Sequence, residues 1–235
     1  MRYAIYFTPG REDPLTRAAA SWLGRDPFSG AAVAHPTVAA LSPAEIAFHT
    51  ASARRYGFHA TLKAPFRLAE NESEQALDRA AQVFAERIEP VALPRLILGQ
   101  IDGYFALIPA EPVPALNRFA DEVVVAFERF RAPLTEAEIE RRNPDSLKPA
   151  EFRNLCQWGY PYVFEAFRFH MTLSGRVFGE DAARVRAAIE SFFGPLLEQP
   201  VLIDGIALFV EPEAGGPFHI RTRHELGRRR ERKSA

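Results

Sequence analysis

Two short strings in the chain hold residues fit for proton transfer. The first reads Tyr56-Gly57-Phe58-His59-Ala60-Thr61-Leu62 and the second Phe167-Arg168-Phe169-His170-Met171-Thr172-Leu173. Both contain Phe-His-x-Thr-Leu. An imidazole titrates at about pH 6.5 and serves as acid or base near neutrality. In an extended strand, residues two apart face the same way. His59 and Thr61 therefore share a face, with Lys63 next along it; His170 and Thr172 share another, followed by Ser174. The alternate positions, Phe58, Ala60, Leu62 and Phe169, Met171, Leu173, are apolar and read as core. One such pair is most simply a hydrogen-bonded structural histidine. Two copies in matching context imply a duplicated fold that brings both histidines and both threonines into one cleft. Phosphoryl transfer suits that arrangement, because the attacking and leaving oxygens lie roughly in line through phosphorus. One imidazole then stands on each side, and the threonine hydroxyls and nearby backbone N–H groups hold the non-bridging oxygens.

The elements that must position these strings also recur. After the first, Asn71-Glu72-Ser73-Glu74 opens a helix by capping-box spacing, and Leu77, Ala81, Phe84 and Ile88 follow at helical period. After the second, Gly179-Glu180-Asp181 opens a run with Val185, Ile189, Phe192 and Leu196. Both helices end before a proline, Pro90 and Pro200. Strand-like runs come next: residues 96–108, broken by an Asp102-Gly103 hairpin signal, and residues 201–210 followed by 218–222, with Gly215-Gly216 between. Each half thus reads strand-helix-strand-strand, and residues 3–8 read as a further strand.

The expected fold class is α+β: two similar lobes related by a pseudo-twofold around a central cleft. The first lobe spans residues 1–110 and the second 161–227, within one compact domain. Residues 111–160 are a helical insertion, with an apolar stripe of Leu116, Phe119, Val123, Phe127 and Phe130 and a Thr135–Glu138 capping box. Residues 26–55, rich in Ala, Ser and Pro, read as short helices or a covering loop.

Composition narrows the function classes. The chain has 235 residues, 47% hydrophobic and 25% charged, which is ordinary globular usage. The single cysteine, Cys156, excludes an internal disulfide and a Cys-based zinc site. No apolar stretch approaches membrane-spanning length, and the start has no signal-peptide core, so a cytoplasmic protein with no membrane partner is expected. Residues 228–235 hold five basic residues against Glu231 alone and read as a disordered basic tail. The mildly acidic body that remains argues against broad nucleic-acid coating. No His-Glu-x-x-His, Walker-A string or Gly-x-Ser-x-Gly occurs, and no cofactor is implied. Tyr3, Tyr56 and Tyr160 are candidates to stack on a base or sugar. Arg221 and Arg223, reading on one face with His219, are candidates to hold the rest of an anionic substrate. His35, His49 and His224 receive no role. A non-catalytic module binding a nucleotide or phosphate ligand is the competing class; it has no need of two symmetric histidines.

In these two strings the chain resembles the two-histidine phosphoesterase superfamily, which includes RNA ligase-like cyclic phosphodiesterases. YGFHATLKAPF (residues 56–66) and WGYPYVFEAFRFHMTLSG (residues 158–175) are most similar to a subfamily encoded in bacterial phosphonate-utilisation gene clusters. The resemblance covers nearly the whole chain. It implies a hydrolase with two α+β lobes around a cleft, catalysis by His59 and His170 without a metal, and phosphate binding by Thr61 and Thr172. The substrate class it implies is a cyclic phosphate of a nucleotide or small sugar, with RNA ends as a further candidate; a monomer or weak dimer is expected. The middle residues Ala60 and Met171 depart from the family pattern, but both point coreward, where no chemistry is lost.

Overall fold

The computed structural model describes residues 1–227; the basic tail expected at 228–235 lies outside the described residues. In chain order the elements are β1 (Arg2–Phe7), α1 (Pro14–Leu23), α2 (Pro43–Arg54), β2 (Ala60–Phe66), α3 (Glu74–Ala85), β3 (Val91–Leu93), β4 (Leu96–Ile101) and β5 (Tyr104–Pro109). Then come α4 (Pro114–Ala126), α5 (Glu136–Glu140), α6 (Pro149–Trp158), β6 (Met171–Arg176), α7 (Glu180–Phe193), β7 (Val201–Ile203), β8 (Gly205–Glu211) and β9 (His219–Glu225). Among the described residues no helix is long and apolar enough to cross a membrane.

Local chemistry sets these boundaries. Ser73 caps α3 by accepting from the Ala76 N–H, so the cap is Ser73 and not Asn71. Thr135 and Glu138 form the expected capping box of α5, and Ser42 with Glu45 forms another at α2. Asp102 and Gly103 take φ of 48° and 89°, the left-handed pair that a two-residue hairpin between β4 and β5 requires. Helix α1 is an addition to the sequence reading, started by Asp13 and Pro14 and stopped by Gly24 at φ 75°.

Seven antiparallel strands form one sheet in the order β4-β5-β6-β2-β1-β8-β9, and β3 pairs with β7 in a separate ladder. The two motif strands, β2 and β6, are central neighbours. The unit β1-β2-α3-β3-β4 recurs as β5-β6-α7-β7-β8, and β9 has no counterpart. The pairing crosses between units: β4 pairs with β5 of the second, and β8 pairs with β1 of the first.

One face of the sheet carries the main core. Tyr3, Ile5, Phe7, Phe58, Ala60, Leu62, Met171 and Leu173 pack there with Trp22, Leu77, Val123 and Ile189 from the helices. The buried Trp22 indole donates to the Leu173 carbonyl at 2.8 Å, which fastens α1 to β6. On the other face a smaller cluster forms from Ala4, Tyr6, Ala207, Phe209 and Phe218, with Tyr56 and Ile220 against it.

Candidate active site

The two motif strands meet at a single ladder position, Ala60 opposite Met171. Opposed residues of an antiparallel pair share a face. Ala60 and Met171 face the main core, so their neighbours face the other way. The register sets His59 across from Thr172 and Thr61 across from His170. Four polar side chains thus share one face around one local twofold, at cross-strand spacings of about 4.5–8 Å between Cβ atoms.

Each imidazole is fixed by the backbone two residues earlier. His59 Nδ1 lies 2.9 Å from the Gly57 carbonyl, and His170 Nδ1 lies 2.8 Å from the Arg168 carbonyl. A carbonyl only accepts, so Nδ1–H is the donor in each ring and Nε2 is left for chemistry. Gly57 takes φ 75°, and a Cβ there would stand 3.0 Å from Pro27 Cβ, so the turn that presents His59 needs glycine.

Surroundings make the two rings unequal. Tyr6 stacks on His59 with ring centres 4.0 Å apart and planes at 26°. Tyr56 and Phe209 stand 6.1 and 6.0 Å away. Burial pushes the His59 pKa down to about 4; the bond to Gly57 opposes this, and the nearby His170 adds to it. Around Tyr6, burial raises its phenol well above the ordinary value.

The structure brings Tyr56 and Tyr160 to this face. Tyr56 stacks on Phe218 at 5.3 Å and 19° beside His59. Tyr160, just beyond α6, is close enough to interact electrostatically with both Tyr6 and Tyr56. Burial raises the pKa of its phenol, and the Arg142 guanidinium lies 5.1 Å from its ring centre. Sequence reading did not single out Tyr6 or Arg142. Alternation in β1 does put Ala4 and Tyr6 opposite Tyr3, Ile5 and Phe7, but which face was the polar one depended on the partner strands.

Five other candidates are engaged elsewhere. Tyr3 is 5% exposed in the main core, with its hydroxyl bonded to Glu74 at 3.0 Å, so it cannot stack on a ligand at the histidines. A bulge follows the threonine in each motif strand and takes the next polar residue out of line. Lys63 is 3% exposed, and its amine donates to Glu128 at 2.7 Å and to the Val124 carbonyl at 3.1 Å. Ser174 is fully buried and fills its bulge, accepting from the Phe105 N–H at 3.0 Å and donating to the Gly175 carbonyl at 2.7 Å. A bulge in β9 also breaks the alternation expected there. Arg221 pairs with Glu74 of α3 at 2.6 Å. Arg223 pairs with Asp204 and bonds the Thr8 carbonyl. It lies in the same cross-strand row as Thr61, with Tyr6 and Ala207 between, about 14 Å away by strand spacing.

Comparison with known proteins gives the following. The family described as "Protein of unknown function (DUF1045)" matches residues 61–219. A ribose 1,5-bisphosphate phosphokinase PhnN of Janthinobacterium sp. (strain Marseille) is 37% identical over 221 residues, 92% of this chain and 49% of that protein. A protein of the same name from Laribacter hongkongensis (strain HLHK9) is 37% identical, covering 94% of this chain and 50% of that protein. The chain spans about half the length of these curated relatives. Among solved structures, LigT of E. coli complexed with NADP+ is 15% identical with a TM-score of 0.46, covering 97% of this chain and 98% of LigT. The chain belongs to the DUF1045 family.

Proposed function

We propose that this family member cleaves a phosphodiester by paired-histidine acid–base catalysis, and that its substrate is the cyclic phosphate of a small sugar or nucleotide. The observation that supports this best is the Ala60–Met171 register, which sets two imidazoles and two hydroxyls on one face about a local twofold. In the proposed step, Nε2 of one neutral histidine takes a proton from water as the water oxygen bonds to phosphorus. The bond from phosphorus to the leaving oxygen breaks, and the other histidine, protonated, gives that oxygen its proton. The product is a phosphate monoester with a free hydroxyl. Thr61 and Thr172 donate to the non-bridging oxygens as charge builds on them. Two imidazoles supply both proton transfers, so the step needs no Lewis acid.

Tyr56 beside His59, and Tyr160 near Tyr56 and Tyr6, would support the ring of the substrate. The phosphorylated ribose named for the two curated relatives favours a sugar phosphate within the proposed class, and the resemblance to phosphonate-cluster proteins points to the same metabolism. This chain has no Gly-x-x-x-x-Gly-Lys-[Ser/Thr] string, so the phosphokinase step in the relatives' name is not proposed for it.

The test is a panel of cyclic nucleotides, RNA ends and cyclic sugar phosphates, followed by variants on whichever is cleaved. His59→Ala and His170→Ala should each lower kcat by about 10²–10⁴-fold. The double variant should lose less than the product, because the two residues act as a unit. Thr61→Val and Thr172→Val should cost less than either. Both histidine variants cleaving at the wild-type rate would end the proposal. Tight nucleotide binding by the wild type with no cleavage across the panel would favour a binding module instead.

A further inference from the structure

We propose that Tyr6 is a positioning residue that makes the two histidines unequal: it covers the ring of His59 so that this imidazole meets the substrate neutral and takes the proton, which leaves His170 to give one. The assignment of base and acid rests on the phosphoesterase reading above; the covering of His59 does not. The repeat is what exposes the difference. Mapping β1-β2 onto β5-β6 superposes Tyr6, opposite Thr61, on Ala106, opposite Thr172. The catalytic quartet is symmetric, yet its flanks are a phenol ring on one side and a methyl group on the other. Tyr6 stacks on His59 at 4.0 Å, whereas among the described residues no aromatic ring stacks on His170.

Apart from the Gly57 carbonyl, which accepts from Nδ1–H, the groups facing His59 disfavour its charged form. Tyr6 from β1, Tyr56 from the turn before β2 and Phe209 from β8 exclude water, and His170 from β6 adds a like charge when protonated. No carboxylate among the described residues pairs with it. The cations nearest Tyr6 are Arg2, held by Glu211 at 2.5 Å, and Arg142, over Tyr160. The depressed His59 pKa agrees with this geometry. Tyr6 itself is 1% exposed and neutral, so its contribution is the carbon face of the ring and not its hydroxyl.

The test is an NMR titration of the His59 ring, with the signal assigned by its loss in His59→Ala. Wild type and Tyr6→Phe should titrate near pH 4, and Tyr6→Ala should move toward the ordinary value of 6.5. Tyr6→Ala opens a cavity in the smaller cluster, so Tyr6→Gln, close in length but polar, is run beside it with the same expected direction. A His59 midpoint that is the same in all these proteins, or near 6.5 in the wild type, overturns the role of Tyr6. On a cleaved substrate the acid limb of kcat/KM should rise in Tyr6→Ala and Tyr6→Gln. At pH 5, relative to each protein's own plateau, this is a fall of about 30-fold, from the neutral fractions at the two midpoints. An acid limb that stays in place while the titration moves overturns the assignment of His59 as base. Titration as expected with no diester cleaved by any protein overturns the phosphoesterase reading and leaves the covering of His59 by Tyr6 intact.

Discussion

Glu128→Gln decides whether Lys63 serves the fold or a ligand. The amine is buried between β2 and the end of α4, held by Glu128 Oε2 and the Val124 carbonyl. Glu128 Oε1 also accepts from Arg131 at 2.6 Å, and a glutamine oxygen keeps that bond. Its NH2 group then faces the Lys63 amine, which retains one carbonyl and no countercharge. A charged amine left so costs roughly 3–5 kcal/mol. Shedding the proton instead costs about 1.36 kcal/mol for each pH unit below 10.5, or about 4.8 kcal/mol at pH 7. Both routes give a similar loss at neutral pH. Burial already lowers the Lys63 pKa from 10.5 in the native protein, more than Glu128 restores it. The folded amine therefore loses its proton at lower pH than the unfolded one. The penalty is full below the folded value and vanishes as pH rises to the unfolded value. Urea unfolding should show Glu128→Gln less stable by roughly 3–5 kcal/mol at pH 7 and by at most about 2 kcal/mol at pH 9. Lys63→Met combined with Glu128→Gln should recover most of the loss, since the orphaned charge is gone. A loss under about 1 kcal/mol at pH 7, or one that does not change with pH, refutes the reasoning. Lys63→Met that weakens substrate binding while leaving stability unchanged would return Lys63 to the site.

Ser174→Ala removes the acceptor of the buried Phe105 N–H and should cost about 1–3 kcal/mol in chemical unfolding, with substrate affinity retained; lost affinity at full stability would mark Ser174 as a ligand group. Cleavage of any identified substrate should survive EDTA, because in the proposed step imidazoles supply both proton transfers; turnover lost to chelation and restored by a divalent ion would refute the two-histidine step.

The sequence was informative wherever one strand or helix decides the outcome. Alternation separated His59 and Thr61 from Phe58, Ala60 and Leu62, and the helical stripe from Leu77 to Phe84 led to α3. Asp102-Gly103 specified its hairpin because Asp-Gly is one of the few pairs that tolerate positive φ at both turn positions. What failed needed two strands at once. A bulge exists only relative to a partner, so the displacement of Lys63 and Ser174, next after each threonine, and of Arg221 had no signature in one string. Tyr3 and Tyr6 are alike in type and both buried, yet one faces the core and one the histidines. That difference is parity within β1, and parity acquires meaning only once β2 is set beside it. Helix α1 buries Leu15, Ala19, Trp22 and Leu23 at helical spacing, a stripe the sequence reading did not single out.

The crossed pairing has a consequence for how the protein is made. β1 leaves the ribosome long before β8, its outer neighbour, and the register joins Arg2 to Glu211. At about 5–20 residues per second, β1 waits roughly 10–40 s for that partner. During that time it presents an open edge, a template for pairing with other chains. Long-range antiparallel closure of this kind also makes refolding slow. The two repeats therefore cannot mature one after the other like beads on a string. A chain cut between β5 and α4 would leave each fragment missing strands that only the other supplies, and the two histidines would face each other only after the fragments had found one another in solution.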